Sequence, residues 1–590
     1  MSFFKTASLV LVSDFAASSA SAVGGTNTGK VYSIKPTDGS GDFTFERGSD
    51  ITATRVNSSG LIEKGRENLF ENSVWDGVST DTKPTGWTAQ SVTGTGTFDV
   101  TSTEGQIRFT TSDVSSRSFI YTPSILINGI LTVSVYVDQV YTTCPINQVI
   151  VRSGNATVIS YFEDGVEISQ TTNVQAGKRY SVVFNKTSTT TFRFGVGASS
   201  DTLGDIVLSR PQVEQGLVAT DYIETGASTA QAGVLEELPR INYSGSTPSL
   251  LLEPSRTNLV TNSEYLEGYN QITNLTLDLT NETLSPEGLN NSYSLTSTST
   301  SCLIRERINP LASGTYTFSF YAKYDSSQFI AVRNSYLAAS FDSYVWFDIL
   351  NKTKGTTSGN SVVDYDIEDV GNGWVRCYVT TTSTSSGDSY FFIYFADSDG
   401  GLSTTENNKI YSYGWQVEEG SYPTSYIPTY GTVATRGADV CDRGSNLAYT
   451  GAYTLFMEFE LTKDAVYLLN SATGTSYSLF LENDDTTLRF DQQSGGSTLV
   501  QFQNTFDWST ALGTTIKIAF TKSGTTASMF VNGTKYTPSS NALSTGNEVL
   551  DWRYLNYTTY PNRQEQAYIK QLLEFEEALS DAECITLTTL

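Results

Sequence analysis

The chain is written in short runs in which apolar and polar residues alternate with a period of two. The run QIRFT at 106–110 shows the form: Ile107 and Phe109 fall on one side, Gln106, Arg108 and Thr110 on the other. Such runs, rich in β-branched and aromatic residues and bounded by Gly, Pro, Asn and Ser, predict half-buried β-strands. They recur at 131–137, 149–152, 180–184 and 191–196, and again at 315–321, 344–350, 374–380 and 390–395. A third series follows at 453–460, 478–481, 487–490, 515–521, 527–531, 534–536 and 567–575. Asn532-Gly533 is a two-residue hairpin signal, and Asn372-Gly373 supplies a turn before the 374–380 run. Ser580 and Glu583 have the spacing of a capping box, which predicts a short C-terminal helix.

An internal repeat organises these series. NLFENS at 68–73 opens the first and QVEQGLVATDYIET at 212–225 closes it. NLVTNS at 258–263 and QVEEGSYPTSYIPT at 416–429 do the same for the second. The openings stand 190 residues apart and the closings 204, so the second copy carries a net insertion of 14 residues. Two copies of one module therefore flank a connector, PSLLLEPSRTNL, whose apolar run Leu250 to Leu252 stops at Glu253-Pro254 because proline cannot donate to a ladder. The expected organisation is all-β: an N-terminal anchoring arm with short strands (1–67), a jelly-roll β-sandwich (68–225), a connector (226–257), a second jelly roll (258–430), a linker (431–445) and a C-terminal β-sandwich (446–590). The short strands at 42–63 are too few for a core of their own and must pack on the first module or on another protein. The segment ELPRINYSGSTPSLLLEPSRTNL resembles one that follows directly on DFTF-type strands in phage proteins, which implies that 42–63 and 238–254 meet in space.

Composition narrows the chemistry. The chain has 62 acidic against 36 basic residues, a formal charge of −26, which repels phosphate backbones and argues against nucleic-acid binding. It has no histidine, which removes Ser-His-Asp and Cys-His nucleophilic sites and His-ligated zinc. The five cysteines (Cys144, Cys302, Cys377, Cys441, Cys584) lack CxxC spacing and read as buried free thiols. No stretch approaches the ~20 apolar residues of a membrane span. The N-terminal ASLVLV is interrupted by Asp14, which favours an ordered or partner-bound arm over a signal peptide.

What remains is surface recognition. In the second module, the 344–350 run sets Tyr344, Trp346 and Asp348 on one face and Val345, Phe347 and Ile349 on the other. The 390–395 run likewise separates Tyr390, Phe392 and Tyr394 from Phe391, Ile393 and Phe395. Side by side, the first sets make an aromatic floor on which a sugar can stack its C–H face. Burial of the same rings against a neighbouring module is the competing expectation, with Trp346 the ring most suited to the interior and Tyr390 or Tyr394 to a wet edge. Trp75, Trp87, Trp508 and Trp552 read as core or loop fillers. Calcium is the metal the composition leaves open, with weak candidate loops at Asp397 and Asp399 and at Asp484 and Asp485. No cofactor and no catalytic residue is assigned. Glu214, Glu418 and Glu419 sit in the repeated closing motif and are better read as structural than as a glycosidase pair.

Three junctions, DFTFERGSDITATRVNSSGLIE, LLLEPSRTNLVTNSE and QVEEGSYPTSYIPT, resemble those of virion fibre and tail proteins of tailed phages. The N-terminal KTASLVLV and GKVYSIKPTDGSGDFTF are similar to such proteins of crAss-like and related phages of Bacteroidota. The modules look like carbohydrate-binding jelly rolls, and FVNGTKY with IKQLLEFEEALSDAEC resembles a concanavalin A-like, laminin-G-like sandwich. The resemblance implies a structural virion protein, a tail or head fibre or a capsid decoration, acting in host attachment. It would contact other virion proteins through the N-terminal arm and bind host-surface polysaccharide, with a homotrimer as one assembly. A glycan depolymerase spike and a bacterial cell-surface adhesin are the alternatives.

Overall fold

Period-two alternation becomes two-sided burial. In strand Gln106–Thr111, Ile107, Phe109 and Thr111 are buried while the residues between them are half-exposed. The computed structural model describes residues 9–14, 30–31, 42–49, 51–79, 82–94, 96–197, 203–279, 282–336, 343–384, 386–462, 467–470, 477–481, 488–494, 497–502, 506, 510–543, 549–555 and 564–590. Among the described residues it is all-β apart from short 3-10 turns and the helix Asp581–Thr588, whose Ser580–Glu583 capping box is formed. No helix among the described residues is long and apolar enough to cross a membrane. The chain divides into two compact units, Lys64–Gly233 with Thr257–Ala434, and Met1–Glu63 with Val234–Arg256 and Thr435–Leu590.

The first unit holds the repeated modules. Among the described residues, module one has a seven-stranded sheet: Val166–Ile168, Ala156–Glu163, Lys178–Lys186, Gly129–Thr142, Gly204–Gln215, Gln106–Thr111 and Thr97–Val100 in spatial order. Its partner sheet runs Ile150–Ser153, Thr191–Val196, Arg117–Tyr121, Ala89–Thr93. Trp75 and Trp87 fill the core between them with Phe109, Phe192 and Phe194. Module two repeats the larger sheet as Val362–Gly371, Trp374–Ser383, Gly314–Tyr324, Lys409–Glu419, Tyr293–Ser297 and Leu275–Leu279. Its second sheet is wider than its counterpart: Gln271–Thr273, Leu303–Leu311, Gly387–Ala396, Phe329–Tyr336, then the hairpin Ser343–Asp348 and Thr353–Ser358. Module one passes from Ser153 almost directly to Ala156, so that hairpin is the extra material of the second copy.

The opening and closing motifs form the same clasp twice. Asn258 donates Nδ2 to the carbonyls of Trp415 and Ile427, while its Oδ1 accepts from the Val417 N–H. Asn68 makes the equivalent bonds to Pro211, Ile223 and Val213. Glu418 accepts from Gln416 Nε2 (2.7 Å) and from the N–H of Thr424 (2.8 Å), as Glu214 does from Gln212 (2.7 Å) and Thr220 (2.9 Å). Ser263 Oγ meets Tyr426 OH at 2.6 Å, and Ser73 meets Tyr222 at the same distance. Both carboxylates are thus held by donors inside each clasp, which accounts for the repeat without chemistry. The modules also pack on each other. Ile130, Phe162, Val183 and Leu217 of module one join the core of module two, and the Ile130 N–H donates to the Tyr430 carbonyl at 2.8 Å. A Cβ on Gly129 would lie 1.5 Å from that carbonyl, so only glycine fits there.

The second unit differs from the expected division. Its sandwich is not confined to 446–590. One sheet runs Ile241–Ser244, Thr247–Leu252, Ala567–Phe575, Tyr453–Leu461, Ile516–Ser523, Thr526–Val531, Thr534–Tyr536. The other includes Lys30–Val31 and Phe43–Glu46 beside Val440–Thr450 and Val549–Leu555. The connector is therefore a pair of sheet strands, with Leu250 opposite Ile569. The short strands at 43–46 pack Phe43 and Phe45 into this core, not onto the first module. Leu9–Asp14 of the arm pairs with the upper part of Ala567–Phe575, so its order comes from within the chain. An open sheet edge and an apolar face decide this, since both are satisfied by strands from any distance.

Where these segments meet, five charges are buried together, and residues 42–63 and 238–254 do come into contact. Val56 N–H donates to Asn242 Oδ1 at 2.8 Å, and Arg240 Nη1 to the Thr54 carbonyl at 3.2 Å. Arg240 pairs with Glu253 at 2.6 Å and with Asp439; Arg436 pairs with Glu253 and Arg47 with Asp439, each at 3.0 Å. Burial would raise the Asp439 carboxyl, but Arg240 and Arg47 outweigh it and hold it below the ordinary range. Two of the three junction motifs contribute to this knot, through Arg47 and Glu253.

Candidate binding face

Alternation places Tyr344, Trp346, Tyr390, Phe392 and Tyr394 on the outer side of the second sheet of module two. Val345, Phe347, Phe391, Ile393 and Phe395 enter the core, and the intervening residues turn away from it. Register then arranges the outward residues in rows that cross the strands. One row is Gln271, Arg305, Phe392, Arg333, Tyr344 and Ser358, each the Cα partner of the next. The adjacent row is Thr273, Leu303, Tyr394, Ala331 and Trp346. On the other side Arg307, Tyr390 and Ser335 form a third.

The five aromatic residues singled out from the sequence are thereby brought together. Phe392 and Tyr394 stack at 5.6 Å between centroids with ring planes 17° apart; Tyr344 and Trp346 stack at 5.6 Å. Tyr344 to Tyr394 (6.0 Å) and Tyr390 to Phe392 (6.2 Å) close the array. It is neither wholly open nor interior: Trp346 and Phe392 are each 5% exposed, while Tyr344, Tyr390 and Tyr394 are half-buried. Trp346 donates its indole N–H to the Gly401 carbonyl at 2.6 Å, which ties the end of the floor to the 397–401 loop. The outer edges available to a ligand are those of the three tyrosines.

Two arginines belong to this face that sequence reasoning missed. Arg305 lies 4.4 Å over the Tyr390 ring and 5.3 Å from Phe392. Arg333 lies 4.9 Å from Phe392 and 5.6 Å from Tyr344, and donates to Tyr394 OH at 3.3 Å. The signal was present, since both occupy the outward phase of their strands, but their register beside Phe392 is a tertiary fact.

The other candidates take different places. Asp397 accepts from Thr405 Oγ1 (2.7 Å) and Asn408 Nδ2 (2.9 Å); burial would raise its carboxyl, yet these bonds hold it below the ordinary range. Asp399 Oδ1 accepts from the Thr356 N–H at 2.9 Å. Both carboxylates are thus loop braces turned to separate partners, and no cluster of three or more metal-ligating side chains occurs among the described residues. Asp484, Asp485 and Trp508 lie outside the described residues. Trp75, Trp87 and Trp552 are buried, and so are all five cysteines. A buried Lys64 reaches Glu264 at 2.7 Å and also Glu287, with Tyr413 donating to Glu287 at 2.6 Å. Burial opposes the Lys64 charge, but the two carboxylates raise its pKa well above the ordinary lysine value.

Module one carries a smaller version of the same face. Arg193 stands 5.4 Å from each of Phe119 and Tyr121, whose rings are 5.3 Å apart. The neighbouring outward position is Gly195, where a Cβ would lie 2.2 Å from the Ser118 carbonyl, so no further ring can stand there.

No family model and no curated protein matches the chain. Among solved structures, the binding domain of Paraclostridial Mosquitocidal Protein 1 is similar at 14% identity and a TM-score of 0.21, over 25% of this chain and 40% of that one. Domains LG4-5 of the mouse laminin alpha1 chain match at 12% identity and TM-score 0.17, over 48% of this chain and 90% of theirs. Trypanosoma rangeli sialidase matches at 8% identity and TM-score 0.19, over 91% and 93%. Overlaps of this size assign the chain to none of these proteins.

Proposed function

We propose that the chain is a non-catalytic glycan-binding adhesin of a phage particle, a fibre, tail or decoration protein that presents the outer face of module two to host-surface polysaccharide. One observation carries the binding role: an outward array of Tyr344, Trp346, Tyr390, Phe392 and Tyr394 on a rigid sheet. Pyranose rings offer apolar C–H faces that stack on such rings, with hydroxyls left to bond at the polar rim. Locking of Glu214 and Glu418 into the clasps favours binding over hydrolysis. The placement on a virion, with contacts to other virion proteins, rests on the junction motifs.

The test is binding of labelled protein to host cells and to their extracted polysaccharide, with Tyr394→Ala and Tyr344→Ala beside wild type. Loss of binding at unchanged melting temperature is the expected result. Retention by both variants would overturn the assignment of the face. Mass spectrometry of purified particles checks the location, where a stoichiometric chain is expected and its absence would refute the virion role. Release of new reducing ends from the polysaccharide would show hydrolysis instead.

A further inference from the structure

We infer that the face selects sugars bearing a carboxylate, with Arg305 as the group that reads it. This deepens the proposal above and rests on the aromatic array being the glycan site. Several surface arginines of the chain are tied to acids: Arg307 donates to both Asp388 oxygens at 2.8 Å, Arg108 pairs with Asp205 and Arg553 with Asp442, each at 2.6 Å. Arg305 has no such partner among the described residues, although it lies one alternation from Arg307 on the same strand. Its Nε is buried and meets no acceptor among the described residues. In a protein of net charge −26, where acids outnumber bases, an unpaired half-buried guanidinium needs a reason.

The geometry supplies one. Stacking over Tyr390 and Phe392 fixes the guanidinium plane, so its fork of N–H donors has little rotational freedom left to lose on binding. That planar fork matches a carboxylate bidentately. Arg333 flanks Phe392 from the opposite strand, two strand spacings (about 9–10 Å) from Arg305. An oligosaccharide crossing the strands would therefore meet cation, ring, cation and ring in turn. Guanidinium groups already stand over the Tyr390 and Phe392 rings, so at this part of the face a sugar meets charge beside the rings. Uronic acids and nonulosonic acids share the required chemistry, a carboxylate on a sugar ring.

Calorimetric titration of the full chain decides the matter, using hexagalacturonate, its carboxyl-reduced neutral counterpart, sialyllactose and lactose. At least one acidic probe is expected to bind tenfold or more tightly than its neutral partner, and which one does so identifies the source of the carboxylate. Arg305→Gln should remove that preference at an unchanged melting temperature, and Arg305→Lys should restore part of it. Wild-type affinity should fall as salt is raised. Equal binding of acidic and neutral partners, with Tyr394→Ala abolishing both, would overturn the charge assignment and leave the glycan face standing. Binding that survives Tyr394→Ala, or no binding by any probe, would overturn both.

Discussion

Glu253 is the residue on which the second unit should prove most sensitive. Its carboxylate is fully buried and faces Arg240 at 2.6 Å and Arg436 at 3.0 Å, both also without solvent contact. Its other oxygen accepts from Gln566 Nε2 at 2.7 Å, and its N–H donates to Asp439 at 2.9 Å. Glu253→Ala leaves Arg47, Arg240 and Arg436 with Asp439 as the single remaining acid of the knot. Breaking a buried pair by removing one partner costs about 3–5 kcal/mol, because the charge left behind is desolvated and unpaired. For a unit of this size each kcal/mol lowers the melting temperature by roughly 2–4 °C, so a fall of about 6–20 °C is expected. Scanning calorimetry of the intact chain, which resolves the transition of this unit from that of the modules, is the measurement. Glu253→Gln, which keeps the shape and an acceptor, should fall between the variant and wild type. An alanine variant melting within about a degree of wild type would mean the knot is not what joins these segments. The acid side carries a second check. The Asp439 carboxyl lies below its unfolded value, so its contribution is fully present above the unfolded pKa and fades as pH drops through the folded one.

Trp346→Ala should destabilise module two by about 3–5 kcal/mol, as large-to-small changes at buried sites do, whereas Tyr394→Ala should be nearly neutral. Equal melting of the two variants would show the floor to be uniformly open or uniformly interior. Lys64→Met removes the cation between Glu264 and Glu287 and should cost about 3–5 kcal/mol near neutral pH. Burial already holds the Glu264 carboxyl above its ordinary range, so the loss should shrink as pH is lowered and Glu264 takes up a proton. A pH-independent deficit would contradict that sign. The thiols should be inert in the native state, since burial pushes Cys144, Cys302 and Cys584 up to about 12 and Cys377 and Cys441 well above the ordinary value. Titration with a disulfide reagent should count five after denaturation and almost none before, and rapid native labelling would refute the buried placement.

Much of the fold was legible because period-two patterning is a local property. The strands at 106–110, 191–196 and 390–395 were visible as runs and stand where the alternation put them. The phase of Tyr344 and Trp346 against Val345 and Phe347 was equally plain, since one face had to be apolar enough to make a core. The distant partner of the connector strand was not legible for the opposite reason. Thr247–Leu252 pairs locally with Ile241–Ser244 on one side, but its partner on the other, Ala567–Phe575, lies more than three hundred residues on. Arg305 was passed over because a lone outward arginine on a strand is usually an ordinary solvated residue.

The sequence by itself determined the all-β class, the two copies of one module, their net insertion and the sorting of each strand into a core side and an outer side. These follow from side-chain period and from self-similarity, which need no knowledge of neighbours. Tertiary structure alone decided which strands stand side by side, because backbone ladders are open to any segment with free donors and acceptors. It drew the connector and the N-terminal strands into the last sandwich, gathered Arg47, Arg240, Glu253, Arg436 and Asp439 from three separate segments of the chain, and set Arg305 against Phe392 across more than eighty residues. The candidate face is a product of both. Alternation chose the side on which its rings stand, and register between distant strands made them one surface.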